Sequence, residues 1–158
     1  MEDSSGQVMA MMWRRAFAVW VVFIVVESIN GVFRRLVLES RIGDLSARQV
    51  SVFTGSVLIL GIAYLLIDWI QARNRRQLAF VGMMWVGLTL TFELGAGRYL
   101  FDYSWDRILS DFNLGKGGFL GIGLLVMGLA PQAVSGFRGA RISRTTGTRS
   151  LPGEEGGG

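Results

Sequence analysis

Apolar residues along this chain gather in four long blocks, and charged residues are concentrated in the intervals between them. The hydrocarbon core of a bilayer is about 30 Å thick, so a helix that crosses it needs about 20 mostly apolar residues. Each block approaches or reaches that length. The pattern therefore predicts four transmembrane helices, over residues 14–34, 48–70, 77–98 and 117–135.

Polar segments flank the four blocks at both ends of the chain. Residues 1–12 are largely polar, residues 138–158 are basic and glycine-rich, and both segments are predicted to be disordered. The spans and their short loops, residues 13–137, leave no room for a separate soluble domain. No small-x-small cleavage site follows the first span, so we expect it to be retained. The predicted fold is an all-α integral membrane protein with a four-transmembrane-helix bundle.

The loop between the third and fourth spans has an apolar pattern of its own. From Ser104 onward its apolar residues follow the i, i+3, i+4, i+7 spacing of one helical face. This predicts a short amphipathic helix over residues 104–113, lying in the membrane interface, where it anchors the loop or serves as a lid or docking surface. The candidate interfacial or partner surface comprises Tyr99, Tyr103, Trp105, Ile108, Leu109 and Phe112.

The connection between the second and third spans is very short, which predicts that these two spans form an antiparallel hairpin and lie side by side. It carries Arg73, Arg75 and Arg76 close together. Cytoplasmic loops of membrane proteins are enriched in arginine and lysine. We therefore predict the inner (plasma) membrane, with both termini in the cytoplasm.

Composition excludes several kinds of chemistry. The chain has 158 residues, no cysteine and no histidine, which argues against disulfides, thiol catalysis, iron–sulfur clusters, histidine-ligated haem and the usual zinc sites. No metal site and no cofactor is predicted. The net charge is +4, but most of the arginines flank apolar spans, so they indicate headgroup contact and topology rather than nucleic-acid binding.

Two glutamates stand within the predicted spans. A charged side chain at the centre of a bilayer costs about 2.5–3.5 kcal/mol, so such residues usually face other helices and find a partner. Glu27 shares a helical face with Asn30, Gly31 and Arg34. Glu93 lies near the end of the third span.

The topology brings the ends of spans one and three to the same side of the membrane, which predicts a buried polar cluster there. Three interpretations remain open: a structural ion-pair network between helix ends, a site that binds a proton or substrate, and two unrelated acids that water reaches. The candidate cluster comprises Glu27, Asn30, Arg34, Arg48, Gln49, Glu93 and Arg98.

Span four carries small residues at helix-contact spacing. Gly117 and Gly121 form a small-x-x-x-small pair, and Gly128 lies two turns further on. Glycines at such spacing allow close approach of another helix. We therefore expect this glycine-lined face to pack against a neighbouring span.

Four short motifs surround the predicted cluster and the third loop. They are Glu27-x-x-x-Gly31-x-x-Arg34, Gly43-Asp44-x-x-Ala47-Arg48-Gln49, Phe92-Glu93 followed by Gly97-Arg98-Tyr99, and Ser104-Trp105-x-Arg107-Ile-Leu-x-Asp111. From about residue 16 to residue 137 the chain resembles small bacterial inner-membrane proteins with four spans. The resemblance implies a multi-pass protein of the bacterial inner membrane, without an assigned activity. A glutamate in the first of four spans is also a feature of small multidrug exporters, but the second buried glutamate and the aromatic third loop depart from that pattern.

Three functions are weighed on these features. The first is an accessory, structural or complex-forming membrane subunit, with the bilayer and other subunits or further copies of the chain as partners. The alternative is a small proton-coupled transporter or channel that uses Glu27 and Glu93. The third, a membrane enzyme acting on lipid-like substrates, needs a nucleophile or metal that the sequence does not offer, so we expect no enzyme.

Overall fold

The computed structural model of the chain describes residues 3–72, 74–100, 102–116 and 118–147. Within those ranges the chain is helical and contains no strand. Turns of π-helix, Arg34–Leu38 and Ala96–Leu100, continue the first and fourth helices, and a 3-10 turn covers Leu114–Lys116. The helices are α1 (Asp3–Phe33), α2 (Glu39–Ile42), α3 (Asp44–Ile70), α4 (Arg75–Gly95), α5 (Trp105–Ser110) and α6 (Leu120–Gly147).

Four helical segments are long and apolar enough to cross a membrane, which confirms this part of the sequence-based prediction. Their outward surfaces carry large apolar side chains, such as Phe53 and Leu65. Such a surface suits contact with lipid rather than water. The segments are Gly6–Ile42, Asp44–Ile70, Arg75–Leu100 and Leu120–Arg138.

The first and last long helices of the chain, α1 and α6, are longer than their predicted spans. α1 begins at Asp3, where the sequence predicts disorder through residue 12, and Met12 is buried in the core. α6 continues to Gly147, past the predicted start of the tail at residue 138. Arg138 forms an ion pair with Asp68 at the end of α3, which holds this part of α6 to the bundle. The predicted disorder of residues 148–158 lies outside the described residues.

The second and third spans, α3 and α4, do not lie side by side as predicted. α6 packs against both α3 and α4, and α1 also contacts both, whereas α3 and α4 contact each other little. A connection of about four residues can extend for roughly 13 Å, so a short turn does not force neighbouring helices together. Gln71 ends α3 in a left-handed conformation, and the Asn74 side chain caps α4 by accepting from the backbone N–H of Gln77 at 2.8 Å.

A pair of glycines brings α4 and α6 into close contact. A Cβ added at Gly82 lies 3.0 Å from the carbonyl carbon of Gly128 and closer still to its oxygen. Gly121, by contrast, has open space beside it, and Gly117 lies outside the described residues. The glycine-lined face of span four therefore packs as expected at Gly128 but not at Gly121.

The tightly packed core lies in the half of the bundle nearer the chain termini. There the Trp85 ring stands edge-on to Phe23, with centroids 4.8 Å apart, and its indole N–H donates to the carbonyl oxygen of Ala16 at 2.8 Å. α3 contributes a stripe of residues spaced mostly four apart, in which Ile59, Ala63 and Ile67 join this core. The apolar core therefore closes one end of the bundle.

The contact between Gly82 and Gly128 can be tested by substitution. Gly82→Ala forces a methyl group against the backbone of α6, and we expect it to lower the free energy of unfolding by about 1–3 kcal/mol. Gly87→Ala is the matched control, because a Cβ there has open space and alanine favours helix. Thermal unfolding in detergent, followed by circular dichroism, compares the two. Equal stability of both variants would contradict the proposed packing.

Candidate functional site

The opposite end of the bundle encloses a cavity of about 450 Å³. Four helix ends meet here: the C-terminal ends of α1 and α4 and the N-terminal ends of α3 and α6. Residues 102–116, which include α5 and are called the α5 segment below, lie alongside. Phe23, Ile59 and Met127 line the cavity next to the packed core, whereas Glu27 and Glu93 line it nearer the helix ends. The cavity therefore passes from an apolar inner part to a charged outer part.

Local helix geometry and small residues make room for this cavity. α1 and α4 widen into π-helical turns at Arg34–Leu38 and Ala96–Leu100, just beyond the two glutamates. π-helical turns inside α-helices are rare and frequently occur at functional sites. Gly31 and Gly123 add no side chains to the wall. The widened turns and the glycines together let the four helices stay apart at this end.

Glu27 lies against α3. Its Oε2 accepts a hydrogen bond from Asn30 Nδ2 at 3.2 Å, and Asn30 Nδ2 also donates to the carbonyl oxygen of Ser51 at 3.1 Å. Glu27 Oε1 is buried and has no hydrogen-bond partner among the described residues. Gly55 provides the space, since a Cβ there would lie 2.6 Å from Oε2. One carboxyl oxygen is thus held by Asn30, and the other is buried beside Gly55, where a proton on the carboxyl group would remove the cost of an uncompensated charge.

Glu93 stands on the wall of the same cavity. Its side chain is exposed rather than buried as predicted, because the cavity that it lines is open on this side. The charges that act on it come from Asp111, Glu27 and Arg34. Glu27 and Glu93 therefore influence each other electrostatically, and Arg34 opposes the repulsion between them.

A smaller cavity of about 230 Å³ forms the polar mouth of the site. Arg48, whose side chain is only 12% exposed, pairs with Asp44 at 2.6 Å and with Asp111 at 2.9 Å. Arg35 donates a hydrogen bond to the Tyr103 hydroxyl. The Arg48–Asp111 and Arg35–Tyr103 contacts fasten the α5 segment to the main bundle, so this segment covers the mouth.

The α5 segment is built to turn part of its apolar surface inward. The Ser104 side chain caps the helix by accepting from the backbone N–H of Arg107 at 3.3 Å. Ile108 is buried, and it comes within 3.3 Å of where a Cβ at Gly97 would be. A larger residue than glycine at position 97 would push α5 away from the cavity.

The structure assembles most of the predicted polar cluster and leaves two members out. Glu27, Asn30, Arg34, Arg48 and Glu93 all line the smaller cavity. Gln49 is exposed and lines neither cavity, because one step along a helix turns a side chain by about 100° away from Arg48. Arg98 is also exposed and pairs with Asp102 at 3.2 Å instead.

The predicted interfacial surface divides into two faces. Tyr103, Ile108 and Phe112 line the larger cavity. Tyr99, Trp105 and Leu109 are exposed. α5 covers only Trp105–Ser110, which is shorter than the predicted 104–113, so the residues around it do not follow a single helical face.

Sequence reasoning missed three residues that shape the site. Gly55 receives the Glu27 carboxylate, Asp111 binds Arg48, and Arg35 holds Tyr103. Gly55 follows the buried Ser51 by four residues, which is a signal for a shared face. The other two contacts join residues 63 and 68 positions apart, and no local pattern indicates them.

Comparisons with family models, with curated proteins and with solved structures give no match to this chain. The described part of the chain holds no group of three or more His, Cys, Asp or Glu residues suited to a metal ion. The cavity offers three carboxyl groups and two arginines beside apolar walls, an arrangement in which a carboxyl group can take up a proton or bind a cation.

The covering role of the α5 segment can be tested through the Arg48–Asp111 pair. Asp111→Asn removes a partly buried ion pair worth about 1 kcal/mol, so we expect the segment to open about fivefold more often. A cysteine introduced as Leu124→Cys inside the cavity should then react faster with a water-soluble maleimide. Asp102→Asn is the control, because it breaks only the exposed pair with Arg98. Unchanged labelling in Asp111→Asn would show that this pair does not hold the cover closed.

Proposed function

We propose that this chain is a multi-pass protein of the bacterial inner (plasma) membrane that works as a small proton-coupled transporter. Its four apolar helices form a bundle across the bilayer, and its cavity is the binding site. Glu27 and Glu93 exchange protons as a solute enters and leaves.

The observation that carries this proposal is the Glu27 carboxyl group, which lines the cavity and has one buried oxygen without a hydrogen-bond partner among the described residues. A buried polar atom without a hydrogen bond costs free energy, and a buried ion without a partner costs considerably more. A purely structural ion-pair network would supply a cation to this carboxylate. The nearby Arg48 instead pairs with two aspartates, so it does not serve Glu27.

The closed end of the bundle favours a transporter over a channel. A channel needs a continuous pore, but Phe23 and Trp85 pack in the core immediately beyond the cavity. A transporter exposes its site to one side of the membrane at a time. A cavity at one end of the bundle and a packed core at the other are what we expect of a transporter whose site faces one side.

The polarity of the bundle suggests which side this is. The cavity lies at the end remote from the chain termini and from the short turn that carries Arg75 and Arg76. With the termini and this turn in the cytoplasm, the cavity opens to the outer side. We include this orientation in the proposal.

A complex-forming membrane subunit is the second candidate. It is supported by the outward-facing side chains of Tyr99, Trp105 and Leu109, which are more than half exposed. Aromatic residues in such a position also suit the headgroup region of the bilayer. The cavity has no equivalent role in a purely structural subunit, and we therefore place the transporter first.

Carbodiimide labelling tests whether the two glutamates take up protons. Dicyclohexylcarbodiimide enters membranes and reacts with protonated carboxyl groups. We expect it to modify Glu27 and Glu93 in native membranes, with labelling that falls as the pH is raised, because only the protonated form reacts. Exposed Asp106, which lines neither cavity, serves as the internal control and should stay unmodified by this apolar reagent. Peptide mass spectrometry reads out each site.

The opposite result has a clear meaning. Glutamates locked in a permanent ion-pair network stay ionised, so they resist the reagent over the whole pH range in which the protein remains folded. That result would overturn the proposed proton coupling and favour the structural subunit.

A further inference from the structure

We infer that the cavity binds a zwitterionic phospholipid with a primary ammonium headgroup, phosphatidylethanolamine, which enters from the bilayer through an opening between α1 and α4. The inference rests on the proposed function for the role of this lipid as the transported solute, and it adds the class of ligand. Three features of the described residues carry it: a lateral opening of the cavity, two opposite charges without direct partners, and an apolar inner wall.

The cavity reaches the outer surface of the bundle between α1 and α4. Trp20 Nε1 on α1 donates to the Thr89 hydroxyl on α4 at 3.0 Å, and this hydrogen bond joins the two helices at the inner end of the cavity. Further along α1, Ser28 and Val32 line the cavity although both are exposed. Phe92 on α4 also lines the cavity and is exposed. Side chains that belong both to the cavity wall and to the outward surface mark an opening toward lipid.

The depth of this opening follows from the length of α1. Arg15 donates to the carbonyl oxygen of Trp69 at 3.1 Å, and such a pair of residue types is typical of a membrane interface. At about 1.5 Å of rise per residue, Arg34 lies roughly 28 Å from Arg15, close to the thickness of the hydrocarbon core. Ser28 lies roughly 9 Å below Arg34 on the same scale. The opening therefore faces acyl chains, while Arg34 is level with the headgroups.

Two opposite charges at the outer end of the cavity have no direct partner. Arg48 is engaged by Asp44 and Asp111. Within the described part of the chain, Arg34 and Glu93 take part in neither a side-chain hydrogen bond nor an ion pair, although both line the cavity and its mouth. Arg34 acts on Glu93 electrostatically, so the two lie near each other without touching. A ligand that carries both charges can fill the space between them.

The headgroup of phosphatidylethanolamine complements this pair. A guanidinium binds phosphate oxygens through paired N–H donors, and a primary ammonium offers N–H donors to a carboxylate. Choline headgroups lack these N–H donors, and glycerol headgroups lack the positive charge. An ammonium beside Glu93 favours the ionised carboxylate, so binding of the lipid releases a proton to water. This release links the ligand to the proposed proton exchange.

The inner part of the cavity suits an acyl chain. Phe23, Leu124 and Met127 line it, and the hydroxyl of Thr89 is engaged, because it donates to Met127 Sδ at 3.3 Å. A water-soluble zwitterion would leave this apolar wall uncovered. The volume of about 450 Å³ is smaller than a whole phospholipid. One acyl chain therefore enters the cavity, and the other stays in the bilayer beside the lateral opening.

Headgroup selectivity is tested by native mass spectrometry of the full chain, released from micelles that contain equal amounts of three lipids. Phosphatidylethanolamine, phosphatidylcholine and phosphatidylglycerol with identical acyl chains serve as probes. We expect one phosphatidylethanolamine to be retained, with a preference of about tenfold or more over the other two. Equal retention of all three lipids, or a preference for either of the others, overturns the inference.

Charge variants assign the headgroup to the cavity. Arg34→Gln and Glu93→Gln should each lower the retention of phosphatidylethanolamine about tenfold or more. Arg98→Gln and Asp106→Asn are the matched controls, because they remove the same charges from exposed residues that line neither cavity. Losses of the same size in the controls would mean that surface charge alone attracts the lipid, which contradicts the inference.

A bulky residue at the lateral opening tests the route of entry. Ser28→Trp narrows the opening and should lower the retention of phosphatidylethanolamine. Val25→Trp is the control on the same helix, since Val25 is exposed and lines neither cavity. If both variants retain the lipid like the parent chain, entry between α1 and α4 is refuted.

Photolabelling of the unaltered chain in a bilayer needs no variant to fold. Phosphatidylethanolamine with a diazirine near the end of one acyl chain should label Leu124 and Met127, which line the cavity and are buried from the surrounding lipid. Outward residues such as Phe53 and Leu65 are labelled by any neighbouring lipid. Labelling confined to outward residues would show that no acyl chain enters the cavity, and the inference would be wrong.

The carbodiimide experiment separates this inference from the proposed function. If Glu27 and Glu93 are labelled in a pH-dependent way but no phosphatidylethanolamine is retained, the ligand class is wrong while the proton site stands. If the lipid is retained but neither glutamate is ever labelled, the proposed transport fails, and with it the role of this lipid as the transported solute.

Discussion

Close contact between the backbones of α4 and α6 organises this bundle. At Gly82 and Gly128 no side chain separates the two helices, so α6 lies directly against α4 while it also packs on α3. In an apolar surrounding, helices associate through such packing rather than through the hydrophobic effect. With α6 between them, α3 and α4 are kept apart and α1 contacts both from the other side. Trp85 and Phe23 fill the interior of this half.

The two ends of the bundle consequently have opposite properties. One end is filled by large apolar side chains and by an indole N–H that finds its acceptor on α1. At the other end, π-helical turns and glycines replace side-chain packing with a cavity, and charged groups enter it. Membrane-embedded carboxylates are costly, which is why they usually mark binding sites or proton pathways. The cost is concentrated here at Glu27, where Asn30 satisfies one oxygen and nothing among the described residues satisfies the other.

The segment around α5 connects the site to its surroundings. Its inward residues, Tyr103 and Ile108, line the cavity, and its outward residue Trp105 is exposed. Contacts from Arg35 and Arg48 hold it over the mouth. Such polar contacts are weaker than core packing, and in the proposed transporter they break and re-form as a solute passes. Under the proposed function, the segment that covers the mouth and the carboxylates act together, because the same contacts control access to the cavity and the charges inside it.

The sequence by itself determined the four apolar helices, because the thickness of a bilayer requires long apolar runs that no tertiary contact has to specify. Helical periodicity also placed Asn30 and Arg34 with Glu27, since residues three, four and seven apart share a face. Only the tertiary structure decided that α6 lies between α3 and α4, that Arg48 also binds Asp111, and that Gln49 stays outside the site. Those outcomes depend on how helices distant in sequence rotate and approach one another. Backbone contacts such as Gly82 with Gly128 set that arrangement, and the periodicity of a single helix does not contain it.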